Sequence, residues 1–120
     1  MADNVKKWNE ISRSYRKHLL LEKHLAQNSI ESYMSDLAKF AHFILRMYDL
    51  PPKEVATEHI QKYMIRLYDE GREKSSQARH LSGVRSFFNY LLLQDEIQTS
   101  PTDQISAPKR KQSLPDVLST

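Results

Sequence analysis

Apolar residues recur along this chain at spacings of three and four, and four such runs are separated by short polar or proline-bearing breaks. From Asn4 to about Glu22, Trp8, Ile11, Tyr15 and Leu19 form one stripe, the mark of a helix with one buried face. "LAQN" interrupts it. A second helix is expected to open at Asn28, an N-cap residue with Glu31 three positions on, as in a capping box. Its stripe runs Ile30, Tyr33, Leu37, Phe40, Ile44 and Tyr48 until "DLPP", where two prolines disfavour further helix. Thr57 is the expected cap of a third helix carrying Ile60, Tyr63, Met64 and Leu67, and Gly71 stands where a left-handed C-terminal cap belongs. The fourth, from about Ser75 to Gln94, buries Leu81, Val84, Phe87, Phe88, Leu91 and Leu92.

After Glu96 the pattern dissolves. "TSPTDQISAPKRKQSLPDVLST" has three prolines and no sustained period, so it reads as a linker. The expectation is an all-α, compact four-helix domain over residues 1–98, with an extended C-terminal linker over residues 99–120. At 120 residues the chain suits one domain that buries roughly two-thirds of its unfolded surface.

Two residues interrupt this scheme. Phe43 is an aromatic on the polar side of the second helix, placed to cover the first helix or to meet a partner protein. Tyr90 projects toward the polar side of the fourth and is expected as an exposed boundary residue, whereas Tyr15, Tyr33 and Tyr63 belong to the core.

The polar side of the fourth helix is the unusual feature. Arg79, Ser82, Ser86 and Asn89 cluster opposite the apolar residues, with Gly83 beside them and Arg85 at the margin. No acid stands between Lys74 and Gln94, and the small side chains permit close approach of another surface. A DNA major groove fits this face, since Arg takes phosphates or guanine edges and Ser and Asn bond either. A helix–helix contact uses small residues equally well. The second helix repeats the pattern more weakly, with Ser29 at its start and Ser32, Ser35, Lys39 and Arg46 opposite its stripe.

Charge sharpens the choice. Eighteen Lys and Arg against fifteen Asp and Glu give only +3, but the excess is uneven. Residues 6–23 hold six cations against Glu10 and Glu22, and residues 72–90 hold Arg72, Lys74, Arg79 and Arg85 against Glu73 alone. The lack of cysteine excludes disulfides, thiolate zinc sites and a cysteine nucleophile. His18, His24, His42, His59 and His80 lack metal-ligand spacing, and no glycine-rich phosphate loop or GxSxG elbow occurs. No cofactor, no metal and no self-contained catalytic set are expected, nor a membrane span or signal peptide; a cytoplasmic protein is the expectation.

Three motifs in order carry a family resemblance. "LEKHLAQNSIESYMSDLAKF" resembles the opening of the core-binding domain of Xer-type tyrosine recombinases, through Glu22, Lys23, Leu25, Tyr33, Asp36 and Leu37. "ARHLSGVRSFFNYLL" is similar to that family's fourth helix, with Arg79, Leu81, Ser82, Arg85, Phe87, Phe88, Tyr90 and Leu91 in register. "SPTDQISAPKRKQSLPDVLS" resembles its interdomain linker, with Pro101, Pro108, Lys109, Leu114, Pro115, Leu118 and Ser119 in place. Ser29, Gly83 and Ser100 depart from the family's usual Thr, Ala and Asn; Gly83 marks either close approach to DNA or drift.

The resemblance implies a SAM-like bundle whose second and fourth helices meet the DNA major groove. It further implies a separate C-terminal catalytic domain, absent from this chain, so that this part is not itself an enzyme. In such recombinases the catalytic half breaks and rejoins DNA through a 3′-phosphotyrosyl intermediate without an added cofactor, and four protomers assemble on two sites. With the helix faces, this gives the expected DNA contacts. Lys39, Lys74, Arg79 and Arg85 hold phosphates; Ser82, Ser86 and Asn89 read base edges, assisted by Ser29 and Ser32. The expected partners are double-stranded DNA, the missing catalytic domain and other protomers. The rival reading is a helical protein–protein interaction module without DNA affinity.

Overall fold

A computed structural model describes residues 2–105, and every structural statement below concerns these residues. They form four α-helices and no strand: α1 (Ala2–Leu21), α2 (Gln27–Met47), α3 (Thr57–Asp69) and α4 (Lys74–Leu93), with a single 3-10 turn at Pro52–Glu54 between α2 and α3. The all-α expectation is borne out, and each predicted helix lies within about two residues of its expected limits.

The four stripes converge on one core. Trp8, Tyr15 and Leu19 enter it from α1, Ile30, Leu37, Phe40 and Ile44 from α2, Ile60, Tyr63 and Leu67 from α3, and Leu81, Val84, Phe87, Phe88 and Leu91 from α4. Phe40, fully buried, is the meeting point: its ring lies 6.1 Å from Trp8, 5.1 Å from Tyr63 and 6.2 Å from Phe88, edge-on in each case. It thus touches all three other helices, in the edge-to-face geometry aromatic quadrupoles favour. Trp8 also stacks on Phe87 at 5.6 Å and donates its indole N–H to the Leu50 carbonyl at 2.8 Å, fastening α1 to the turn after α2.

Helix ends follow two patterns. At α3, Gly71 takes φ +80°, its N–H bonds Tyr68 O at 3.0 Å and the Arg72 N–H bonds Leu67 O at 3.1 Å, so the expected left-handed cap is a full Schellman motif. The end of α4 repeats it with Asp95 at φ 63° in the glycine position. The expected N-caps differ. α2 begins one residue before Asn28, with Ala26 as cap and its first bond from Ile30 N to Ala26 O. Glu31 makes no bond to the backbone N–H of the cap as a capping box requires; its carboxylate accepts from the side chains of Arg16 and Gln27, each at 2.8 Å, and these bonds hold its pKa below the usual range. At α3, Ala56 is the cap, its N–H donating to His59 Nδ1, and Thr57 is released for another contact.

That contact is with the tail. Thr57 Oγ1 donates to the Pro101 carbonyl at 2.8 Å, and Arg85 donates to the Ile105 carbonyl at 2.6 Å. Ser100 and Thr102 are buried and hydrogen-bonded to one another. Residues 99–105, expected as the start of a linker, are therefore laid against α3 and α4. The linker residues 106–120, with the family-like positions from Pro108 to Ser119, lie outside the described residues.

Candidate nucleic-acid interface

The polar faces of α2 and α4 meet at Gly83. A Cβ built there stands 3.8 Å from both Asp36 Cβ and Tyr33 Cδ1, so the two helices approach closely with ordinary contact distance to spare. Gly83 is buried in this seam and does not face solvent. Beside it opens a small cleft of about 170 Å³ lined by Ser29, Ser32, Tyr33 and Asp36 of α2 and by Arg79 and Ser82 of α4. Four of the nine expected contact residues thus come together from two helices: Ser29, Ser32, Arg79 and Ser82, all exposed.

Beneath the cleft lies a chain of polar groups that sequence reasoning missed. Asp36, 3% exposed, accepts two hydrogen bonds from Arg79, Nε to Oδ2 at 3.1 Å and Nη2 to Oδ1 at 3.2 Å. On its inner side stands His80, fully buried, with Nδ1 3.2 Å from the Tyr63 hydroxyl and Nε2 3.7 Å from Asp36 Oδ1. That last distance is too long for a hydrogen bond. Nε2 is the one buried side-chain polar atom without a partner among the described residues. Burial holds the His80 imidazole below its usual range, against the opposing pull of Asp36 and with help from the Arg79, Lys39 and Arg72 cations. The Y-x-x-D and R-x-L spacings contain both members of the ion pair, but nothing in them joins position 36 to position 79.

The other expected residues divide. Lys39, Lys74 and Asn89 are exposed and outside the cleft. Arg85, expected on a phosphate, is half-buried and engaged with the Ile105 carbonyl. Ser86, expected at base edges, hydrogen-bonds the Tyr15 hydroxyl at 2.8 Å across the α1–α4 seam. Burial pushes the Tyr15 hydroxyl up to about 12, a rise the Ser86 bond only partly offsets, so it stays protonated. Tyr90, expected exposed, is 5% exposed, bonded to Ser14 and 5.4 Å from the Tyr15 ring. Both α4 residues share the flank that α1 covers. Phe43 is likewise buried, not against α1 but against α3, 5.3 Å from the Tyr63 ring with the Arg66 guanidinium 5.6 Å over its face.

A second, larger recess runs between α2 and α3. Lys39, His42, Arg46, Arg66 and Arg72 line it against Glu70 alone, over an apolar floor that includes Phe43 and Leu67. Arg66 and Arg72 each approach Glu70, at 3.4 and 3.6 Å. Without His42, the four cations against Glu70 leave this recess with an excess of positive charge. The i, i+3 and i+4 spacing of Lys39, His42 and Arg46 carries the α2 polar face into it. Arg66 and Arg72 join from elsewhere in the chain, which is why no single stretch revealed the recess.

These features define a small all-α bundle with one hydroxyl- and cation-lined face across α2 and α4. Among the described residues no group of three or more His, Cys, Asp or Glu could hold a metal ion, and no helix is long and apolar enough to cross a membrane. The chain belongs to the phage integrase N-terminal SAM-like domain family, whose pattern matches residues 12–95. It is 31% identical over 118 residues to the tyrosine recombinase XerD of Chlorobaculum tepidum, covering 98% of this chain and 38% of that protein. To the tyrosine recombinase XerC of Natranaerobius thermophilus it is 32% identical over 99 residues, covering 82% of this chain and 33% of the relative. To XerD of Listeria innocua it is 33% identical over 111 residues, covering 92% and 37%. The chain therefore spans about a third of the length of these relatives. No solved structure matches it significantly. The resemblance carried by the three sequence motifs is thereby borne out at the level of the family.

Proposed function

We propose that this domain grips double-stranded DNA as the N-terminal part of a site-specific tyrosine recombinase. The observation that carries the reading is the convergence of Ser29 and Ser32 from α2 with Arg79 and Ser82 from α4 on a single cleft, on a face where α4 has no acid. Hydroxyls and a guanidinium are the donors that phosphates and base edges accept. The names of the relatives supply the reaction class, and since the chain covers only 38% and 33% of those two proteins, this reading assigns strand breakage and rejoining to a separate catalytic part.

In this reading Lys39, Lys74 and Arg79 hold phosphates while Ser29, Ser32, Ser82 and Asn89 face the groove. The cationic recess between α2 and α3 extends the favourable field along α2. Arg85 and Ser86 stand behind that surface and hold the domain's own parts in place. Further protomers and the catalytic domain are its partners, and it uses no cofactor.

The test is a titration of the chain with a short DNA duplex at two salt concentrations, followed by amide NMR shifts. Shifts confined to α2 and α4, with an affinity whose log–log salt slope is about −3 for three to four phosphates, support DNA gripping. Binding that ignores salt, or no shift on those helices, would favour a protein-docking module instead.

A further inference from the structure

Asp36 is a carboxylate on the wall of a cleft otherwise suited to a phosphate, and by charge alone it opposes one. Its geometry points the other way. The Asp36 side chain is 5% exposed and its carboxylate takes Arg79 from the side, through Nε and Nη2, whereas the Arg79 side chain is 57% exposed. A planar guanidinium held along that edge turns its remaining donors away from the carboxylate. Nη1 has no partner among the described residues. Around the same cleft stand Ser29, Ser32 and Ser82. On the inner side, His80 Nε2 lies 3.7 Å from the carboxylate and does not compete as a hydrogen-bond donor.

We infer that Asp36 is a positioning residue: it clamps the Arg79 guanidinium so that the free Nη1 edge takes one phosphodiester of the DNA backbone at the mouth of the α2–α4 cleft. The inference rests on the DNA-gripping reading above. An arginine free in solvent gives up rotamer freedom when it captures a phosphate; one already held on both Nε and Nη2 gives up little. The buried acid thus assists the capture of an anion.

The experiment compares wild type, Asp36→Asn, Arg79→Ala, the double variant and Arg79→Lys for binding to a fluorescein-labelled duplex, by anisotropy across a salt series. Simple electrostatics and positioning predict opposite signs for Asp36→Asn. Removing a negative charge beside DNA tightens binding, whereas releasing Arg79 weakens it. The expected result is a loss of about tenfold, the worth of one charge-assisted hydrogen bond. The double variant should bind no worse than Arg79→Ala alone, and the salt slope should fall by about one where Arg79 is lost.

Asp36→Asn binding as tightly as wild type, or more tightly, overturns the inference. Should that variant fail to fold by circular dichroism, Arg79→Lys decides, because it keeps both charges and loses the two-point clamp; wild-type affinity there overturns the inference. A readout independent of DNA is the Arg79 Nε–H resonance of the free protein, expected to be protected from water exchange in wild type and to broaden in Asp36→Asn. If wild type itself shows no affinity for the duplex at low salt, the DNA-gripping reading falls and this inference falls with it. If wild type binds and Asp36→Asn is unchanged, only the positioning role is lost.

Discussion

Gly83→Ala is expected to stabilise this domain, although Gly83 is buried in the seam between α2 and α4. The added methyl stands 3.8 Å from Asp36 Cβ and from Tyr33 Cδ1, ordinary van der Waals contact that demands no movement of either neighbour. A glycine in a helix interior costs about 0.8–1.0 kcal/mol relative to alanine, because the unfolded chain gives up more freedom. Burying the methyl adds up to about 0.8 kcal/mol. The sum is about 1–2 kcal/mol, which in a domain of this size raises Tm by roughly 5–10 °C. Thermal melts followed at 222 nm and urea melts at constant m-value measure it. A lowered Tm would refute the reasoning, since it would mean that α2 and α4 are closer than the seam described. DNA affinity should be unchanged, because Gly83 is buried beneath the polar face; a more stable variant that no longer bound DNA would put Gly83 on that face after all.

Three other expectations follow from named contacts. Phe43→Ala should cost about 3 kcal/mol by urea denaturation, as for a buried phenylalanine, and a loss below about 1 kcal/mol would return Phe43 to the surface. His80 should make stability fall on acidification: its folded pKa lies below the unfolded value, so the folded state binds fewer protons, and stability present above about pH 6.5 is lost as the pH drops through the folded value. Urea midpoints should therefore slope downward below about pH 6.5, and His80→Gln should flatten that slope. Arg85→Ala should speed amide exchange across residues 99–105 while leaving the four helices protected; unchanged exchange there would show that the Ile105 contact does not hold the tail.

Periodicity made the helices and most of the core legible because each stripe is built from large residues at helical spacing. It failed where one helix has more than one neighbour. α2 packs on α1, α3 and α4, so its buried arc is wider than a single stripe and takes in Phe43 on the α3 side. α4 has the same difficulty: toward its C-terminal end the polar face is covered by α1, which draws in Ser86 and Tyr90, whereas earlier in the helix Arg79 and Ser82 line the cleft beside α2. The helix–helix reading of that face is thus realised at Ser86, and Arg79 and Ser82 stay exposed. The caps were misplaced for a local reason. His24 at φ 54° and the Leu25 N–H to Leu19 O bond bring the chain round early, so α2 starts before Asn28 can act. The Asp36–Arg79 pair was invisible because its members are forty-three positions apart and only the fold joins them.

The attachment of residues 99–105 also sets how the domain bears load. The tail is fixed at Thr57, the first residue of α3, and at Arg85, near the middle of α4. Tension arriving along the chain at Ile105 is first met at those two points and only then at the Asp95 turn that ends α4. To peel α4 open from its end, a pull must first detach a segment anchored across two helices, whose own Ser100 and Thr102 are buried. Torque or traction from whatever follows Ile105 is therefore delivered to α3 and α4 jointly, and turns the bundle as one body before it unravels any helix.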